Sequence, residues 1–131
     1  MAKHYRILVF GKQGCAKCKQ LNQRLDDLLA QPGWSEFEKC YYDLGSVDGL
    51  VAFCKVECIN PQRIPAFVVA RFNEVTGHYD YLPNPALGAM DPVCKTAKLH
   101  QHLGLQTDYT EVGKGVIPPM MIEAVLQQAR T

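Results

Sequence analysis

The sequence predicts an α/β fold, and three observations carry that prediction. An apolar run at residues 5–10, Tyr5-Arg6-Ile7-Leu8-Val9-Phe10, is bounded by Gly11 and suits a strand buried inside a covered sheet. A helical apolar pattern follows at once, and strand-like and helix-like segments then alternate. A later strand at residues 66–72, rich in aromatic and β-branched side chains, is answered by a hairpin partner at 78–82. The expected order is β-α-β-α-β-β-α, a central mixed sheet flanked by helices, with an extra loop and helix segment before the last helix.

Each element has its own local signal. In the first helix Leu21, Leu25, Leu28 and Leu29 recur at helical spacing and form one apolar face, while Lys17, Lys19, Gln20, Gln23 and Arg24 fall off it. Pro32-Gly33 stops that helix. Residues 37–44 read as the second strand, with Cys40, Tyr41 and Tyr42 inside it. Ser46 is a good N-cap for a second helix, whose face is expected to run through Val47, Leu50, Val51 and Cys54. Asn60-Pro61-Gln62-Arg63 is a turn, and residues 73–77 turn the hairpin. Tyr79 and Tyr81 alternate with Asp80, the ordinary two-residue rhythm of a strand. Asp91-Pro92 resembles an N-cap with Pro at the first helical position, opening a helix over 93–103 that Gly104 ends. Residues 106–116 read as loop. Pro118-Pro119 opens a final helix with a stripe of Ile122, Val125, Leu126 and Ala129, and Met120-Met121 at its start are expected in the core.

Bulk properties bound the function. The chain has 131 residues, the size of one domain, and is read as a single domain over 1–131 with an insertion at about 83–117. A formal net charge of +1 makes no electrostatic case for nucleic acid or an anionic membrane surface. No apolar run is long enough to span a bilayer, and the start of the chain, Met1-Ala2-Lys3-His4-Tyr5-Arg6, has no apolar signal core, so a cytoplasmic location is expected. In a reducing compartment six cysteines point to catalysis or metal rather than to a disulfide framework.

The chemistry concentrates at Gly14-Cys15-Ala16-Lys17-Cys18, between the first strand and the first helix. A thiol at a helix N-terminus meets unpaired backbone N–H groups and the positive end of the helix dipole, and both favour the thiolate. The thiolate is the nucleophile in disulfide exchange. Cys15 is therefore the candidate nucleophile. Lys17 and Lys12 add positive charge near it. Cys18, one turn along and less exposed because its helix packs on the sheet, is the candidate resolving thiol.

These residues resemble the thioredoxin-like superfamily, and the glutaredoxin branch most closely. The resemblance runs through residues 7–18, Ile7-Leu8-Val9-Phe10-Gly11-Lys12-Gln13-Gly14-Cys15-Ala16-Lys17-Cys18, and through Arg63-Ile64-Pro65-Ala66-Phe67-Val68-Val69. It covers about residues 4–82 and the last helix. It implies that Pro65 is a cis proline facing the cysteine pair. The backbone of Ile64 would then pair with a bound peptide or glutathione. It further implies a thiol–disulfide oxidoreductase with no bound organic cofactor, glutathione as a candidate co-substrate, a disulfide-containing protein or small molecule as substrate, and glutathione or a reductase as electron donor. Lys12, Lys17, Ile64 and Pro65 are the expected substrate-binding residues, and no metal is expected. The chain departs from the pattern in three places. Leu82-Pro83-Asn84-Pro85 stands where glutaredoxins carry Gly-Gly, no Trp precedes Cys15, and residues 83–119 are additional.

Two other classes of function compete. One is a redox-inactive thioredoxin-fold adaptor that uses the insertion as its contact surface. The other is a metal or iron–sulfur protein using Cys15 with further thiols. Cys40, Cys54, Cys58 and Cys94 match no strong metal spacing. Cys40 and Cys54 read as small hydrophobic core fillers, and Cys58 is the extra thiol expected nearest the site. His4, His78, His100 and His102 read as surface or hydrogen-bonded histidines.

Overall fold

The computed structural model describes residues 4–55, 64–82, 103–106 and 117–130. The elements run β1 (Tyr5–Gly11), α1 (Ala16–Leu29), β2 (Phe37–Asp43), α2 (Val47–Lys55), β3 (Ala66–Asn73), β4 (His78–Tyr81), β5 (Gly104–Gln106) and α3 (Pro119–Ala129). β2 lies parallel to β1, from Tyr5 opposite Phe37 to Gly11 opposite Asp43. β3 lies antiparallel to β1 on its other side, and β4 pairs antiparallel with β3, giving the order β2-β1-β3-β4. A parallel β1-α1-β2 unit joined to an antiparallel β3-β4 hairpin is the thioredoxin-like arrangement that the sequence predicts.

Alternation along the strands divides the interior in two. Tyr5, Ile7 and Val9 of β1 and Phe67 and Val69 of β3 point to one face. There they join Leu21 and Leu25 of α1 and Ile122, Val125, Leu126 and Ala129 of α3. Leu8 and Phe10, with Val68 and Ala70, point to the other face and meet Ala52 and Phe53 of α2. Both faces of the central strands are thus covered, which is why β1 and β3 are apolar at nearly every position. Among the described residues no helix is long and apolar enough to cross a membrane.

Three expectations are corrected. The α2 residues Val47, Leu50 and Val51 are exposed rather than inward. Gly49 sits directly on the Asp43 carbonyl, where a Cβ would collide with it, so the helix rolls to present Gly49, Ala52 and Phe53 to the sheet. Met120 and Met121 are exposed as well, because the first turn of α3 precedes the stripe that begins at Ile122.

The third correction concerns the hairpin. Leu103 and Gly104 do not end a helix; they re-enter the sheet. Leu82 N–H donates to the Val69 carbonyl (3.1 Å), Leu103 N–H to Leu82 (2.7 Å) and Val69 N–H to Leu103 (2.9 Å). Gly104, Leu105 and Gln106 then pair with Val68, Phe67 and Ala66. β4 and β5 are two pieces of one edge beside β3, to which the chain returns at Leu103. Gly104 permits this return: a Cβ there would land on the Phe67 carbonyl and the Val68 Cα. The turn at 60–63 and most of the predicted 93–103 helix lie outside the described residues.

Candidate functional site

β1 ends at Gly11, and residues 12–14 carry the chain into α1. Gly14 has φ +79, a left-handed conformation that glycine adopts without steric cost and that turns the backbone into the helix. Cys15 is the N-cap of α1. Its Sγ accepts from the Cys18 N–H (3.1 Å), and its own N–H donates to the Lys12 carbonyl (3.3 Å). The first turn of α1 contains no acidic side chain, so no carboxylate there offsets the positive potential that the helix N-terminus sets at Cys15.

Cys15 and Cys18 form a disulfide, with their Cα atoms 5.2 Å apart. The two sulfurs sit in different surroundings. Cys15 is half-buried at the mouth of the loop, whereas Cys18 is 1% exposed. An open depression of about 680 Å³ lies over the pair, walled by Lys12, Gln13 and Gly14 of the loop, Lys19 and Asn22 of α1, and Tyr41 and Asp43 of β2.

The β2 wall is the part that sequence reasoning missed. Val9 pairs with Tyr41 and Gly11 with Asp43 in the parallel register, which places these two side chains on the α1 side of the sheet beside the cysteines. Gly11 makes the close approach possible: a Cβ there would lie 2.9 Å from Tyr41 Oη and 3.0 Å from Cys18 Sγ. Burial raises the Tyr41 phenol above its ordinary range, and the Asp43 charge adds to the shift. Asp43 also holds the following turn, accepting from Gly45 N–H through Oδ1 (2.8 Å) and from the Ser46 hydroxyl through its carbonyl (2.7 Å). Asn22 Oδ1 is buried without a hydrogen-bond partner. The available signal was the spacing of Cys18 and Asn22, four apart on one helix face.

The predicted site residues separate into two groups. Lys12 joins Cys15 and Cys18 in the walls of the depression, while Lys17 is half-buried on α1 and not among its lining. Ile64 and Pro65 are buried at the start of β3, and their peptide bond is cis. Phe10 pairs with Ala66, so Pro65 enters the sheet at the end where β1 leaves it for the cysteine loop.

Cys40 lies elsewhere. It shares the opposite side of β2 with Glu38 and Tyr42, near Arg6. Burial pushes its thiol up, Arg6 works against that shift, and Glu38 adds to it. The Cys54 side chain, Cys58 and Cys94 are outside the described residues, as are His100 and His102, while His4 and His78 are exposed. Among the described residues no cluster of three or more His, Cys, Asp or Glu side chains could hold a metal.

No protein-family model and no curated protein matches the sequence. Solved structures similar to this chain include two thioredoxin-like proteins. One is Trxlp from Edwardsiella tarda, at 14% identity and a TM-score of 0.43, covering 75% of this chain and 84% of that one. The other is the poxviral disulfide oxidoreductase essential for cytoplasmic disulfide bond formation, at 15% identity and a TM-score of 0.39, covering 95% and 93%. The fold assignment itself rests on the strand order, the pairing senses and the helix placement described above.

Proposed function

We propose that the protein is a thiol–disulfide oxidoreductase that works through the Cys15–Cys18 pair. The observation that supports this is the asymmetry of the pair: a half-buried sulfur capping a helix N-terminus, and a buried sulfur one turn along that is bonded to it. In the reductive direction the Cys15 thiolate attacks a substrate disulfide. One substrate sulfur leaves as a thiolate and takes a proton from solvent. Cys18, having lost its proton to solvent, attacks Cys15 Sγ, the mixed disulfide breaks, and the second substrate sulfur leaves. The substrate is thereby reduced by two electrons and the protein carries the disulfide. A thiol donor, glutathione or a reductase, restores the dithiol. The depression over the pair is open, so a disulfide on a protein surface can approach it as well as a small molecule, with Lys12 and Lys19 in its walls.

The test is single-turnover reaction of the reduced protein with an aromatic disulfide reagent. Cys18→Ser should stop at a stable one-to-one mixed disulfide on Cys15, identified by mass. Cys15→Ser should lose the fast phase. A Cys15→Ser variant that reacts as fast as the native protein would overturn the assignment. Parallel reduction of the oxidised protein by glutathione and by a thioredoxin–reductase mixture then identifies the donor class.

A further inference from the structure

Polar groups buried beside a disulfide without partners need a reason, since an unpaired buried acceptor is costly. Asn22 Oδ1 is such a group: it is the buried side-chain polar atom left without a hydrogen-bond partner among the described residues. It lies four residues beyond Cys18 on the same face of α1, and both line the depression. The Tyr41 hydroxyl also stands near Cys18 in the walls of that depression. Tyr41 Oη and Cys18 Sγ both crowd the point where a Gly11 Cβ would sit, at 2.9 and 3.0 Å. In the disulfide Cys18 Sγ carries no proton and is a weak acceptor, so it offers these groups little. After reduction it becomes a thiol donor or a thiolate acceptor at the same place.

The geometry points to Asn22 and Tyr41 as a cradle that holds the Cys18 sulfur once the disulfide opens, making them positioning residues for the resolving step. Together they suit both protonation states of Cys18. The Asn22 amide presents an oxygen to S–H or, turned over, an N–H to S⁻. The Tyr41 hydroxyl donates to S⁻; its raised pKa keeps it protonated and therefore a donor. Each contact favours the reduced protein over the oxidised one. When a dithiol reductant opens the pair, the Cys15–Cys18 bond breaks and one S–S bond forms in the reductant. Two electrons pass to the protein, and the Cys18 sulfur becomes available to the cradle.

This assignment rests on the pair being redox-active, and the experiment separates the two claims. The oxidised protein is equilibrated with dithiothreitol buffers of graded ratio, and the dithiol fraction is read by alkylation and mass. Removing either group should make reduction harder. Tyr41→Phe and Asn22→Leu should each lower the equilibrium constant for reduction about three- to tenfold. A tenfold change corresponds to about 30 mV for a two-electron couple. Asn22→Leu carries a second signature. It deletes an acceptor that is unpaired only while the disulfide is closed, so the thermal midpoint of the oxidised protein should hold or rise while that of the reduced protein falls. A purely structural role would lower both. Constants unchanged within twofold in both variants, or equal losses of midpoint in the two redox states, would overturn the cradle. A native protein with no titratable Cys15–Cys18 disulfide would instead overturn the proposed function.

Discussion

Gly11→Ala is the most informative single perturbation, because it adds one methyl group where β1, β2 and the cysteine pair converge. The new Cβ would lie 2.9 Å from Tyr41 Oη, 3.0 Å from Cys18 Sγ and 3.1 Å from Cys18 Cβ, all inside ordinary contact distance. Tyr41 has room to move, because it is 40% exposed. Cys18 has little, because it is buried, helical and tied to Cys15. Overpacking a well-filled site costs roughly 1–3 kcal/mol. Replacing Gly by Ala in an ordinary backbone conformation returns about 0.4–1 kcal/mol by restricting the unfolded chain. The expected net loss for the oxidised protein is about 1–2 kcal/mol, or a midpoint lower by roughly 4–7 °C for a chain of this length. Urea unfolding of the oxidised protein measures it. Pairing the change with Tyr41→Phe removes the atom nearest the new methyl and should recover about 0.5–1 kcal/mol as a coupling energy. A Gly11→Ala variant within 0.5 kcal/mol of the parent (roughly the ordinary surface scatter), or a cost indifferent to Tyr41→Phe, would refute the convergence of these groups at Gly11.

Two further outcomes follow from the packing away from the site. Arg130 closes α3 onto the turn before β2: its guanidinium pairs with Glu36 (2.7 Å), donates to the Gly33 carbonyl, and lies 4.1 Å over the Trp34 ring. Arg130→Ala should destabilise by about 1–2 kcal/mol in urea unfolding, with most of the loss retained at 1 M salt, because stacking and the carbonyl bond are less screened than an exposed ion pair. Stability should also fall at alkaline pH. Burial raises Cys40 above its ordinary 9.0 and Tyr41, Tyr79 and Tyr81 above their ordinary 10.0. The unfolded chain therefore releases these protons first and binds fewer of them than the native state above about pH 9, so stability is complete below that pH and is lost as pH climbs through the raised native values. Urea midpoints measured from pH 8 to 11 should be level at first and then decline; a rise across that interval would contradict the burial of these groups.

The parts of the fold that were legible in the sequence are those where one element's own periodicity decides burial. Tyr5 to Phe10 reads as a strand covered on both faces, and it is. The Leu21–Leu25 and Ile122–Val125–Leu126–Ala129 stripes read as inward faces, and they are. The misreadings arose where the deciding contact is made by a distant element. Gly104 looks like a helix stop until Phe67 and Val68 are seen to pack directly against it. Val47, Leu50 and Val51 look like an inward face until Gly49 is found seated on Asp43. The same holds at the site. Cys15 and Cys18 announce themselves by spacing, but Tyr41 belongs to the site only through the register that sets it opposite Val9. Asn22 shares the helix face of Cys18 by its spacing, but that its oxygen is buried without a partner is visible only in the structure.

The difference in exposure within the pair is a consequence of where α1 begins. Helical spacing carries Cys18, Leu21 and Leu25 onto one buried stripe, so the position that would resolve a mixed disulfide is also a core position. Cys15 stands just outside that stripe because it is the cap, with extended backbone (φ −88, ψ 113), and its sulfur turns back toward the helix amides instead of toward the sheet. Starting the helix one residue earlier would make Cys15 a first-turn residue and remove the sulfur from the N-cap bond to the Cys18 N–H. Starting it one residue later would pass the cap to Ala16, whose side chain has no acceptor, and leave Cys15 ahead of the helix. Gly14, free to take φ +79, and the Lys12 carbonyl, bonded to the Cys15 N–H, hold the start where it is. The loop residues that look like mere connection therefore set which sulfur is half-exposed at the cap and which is buried beneath it.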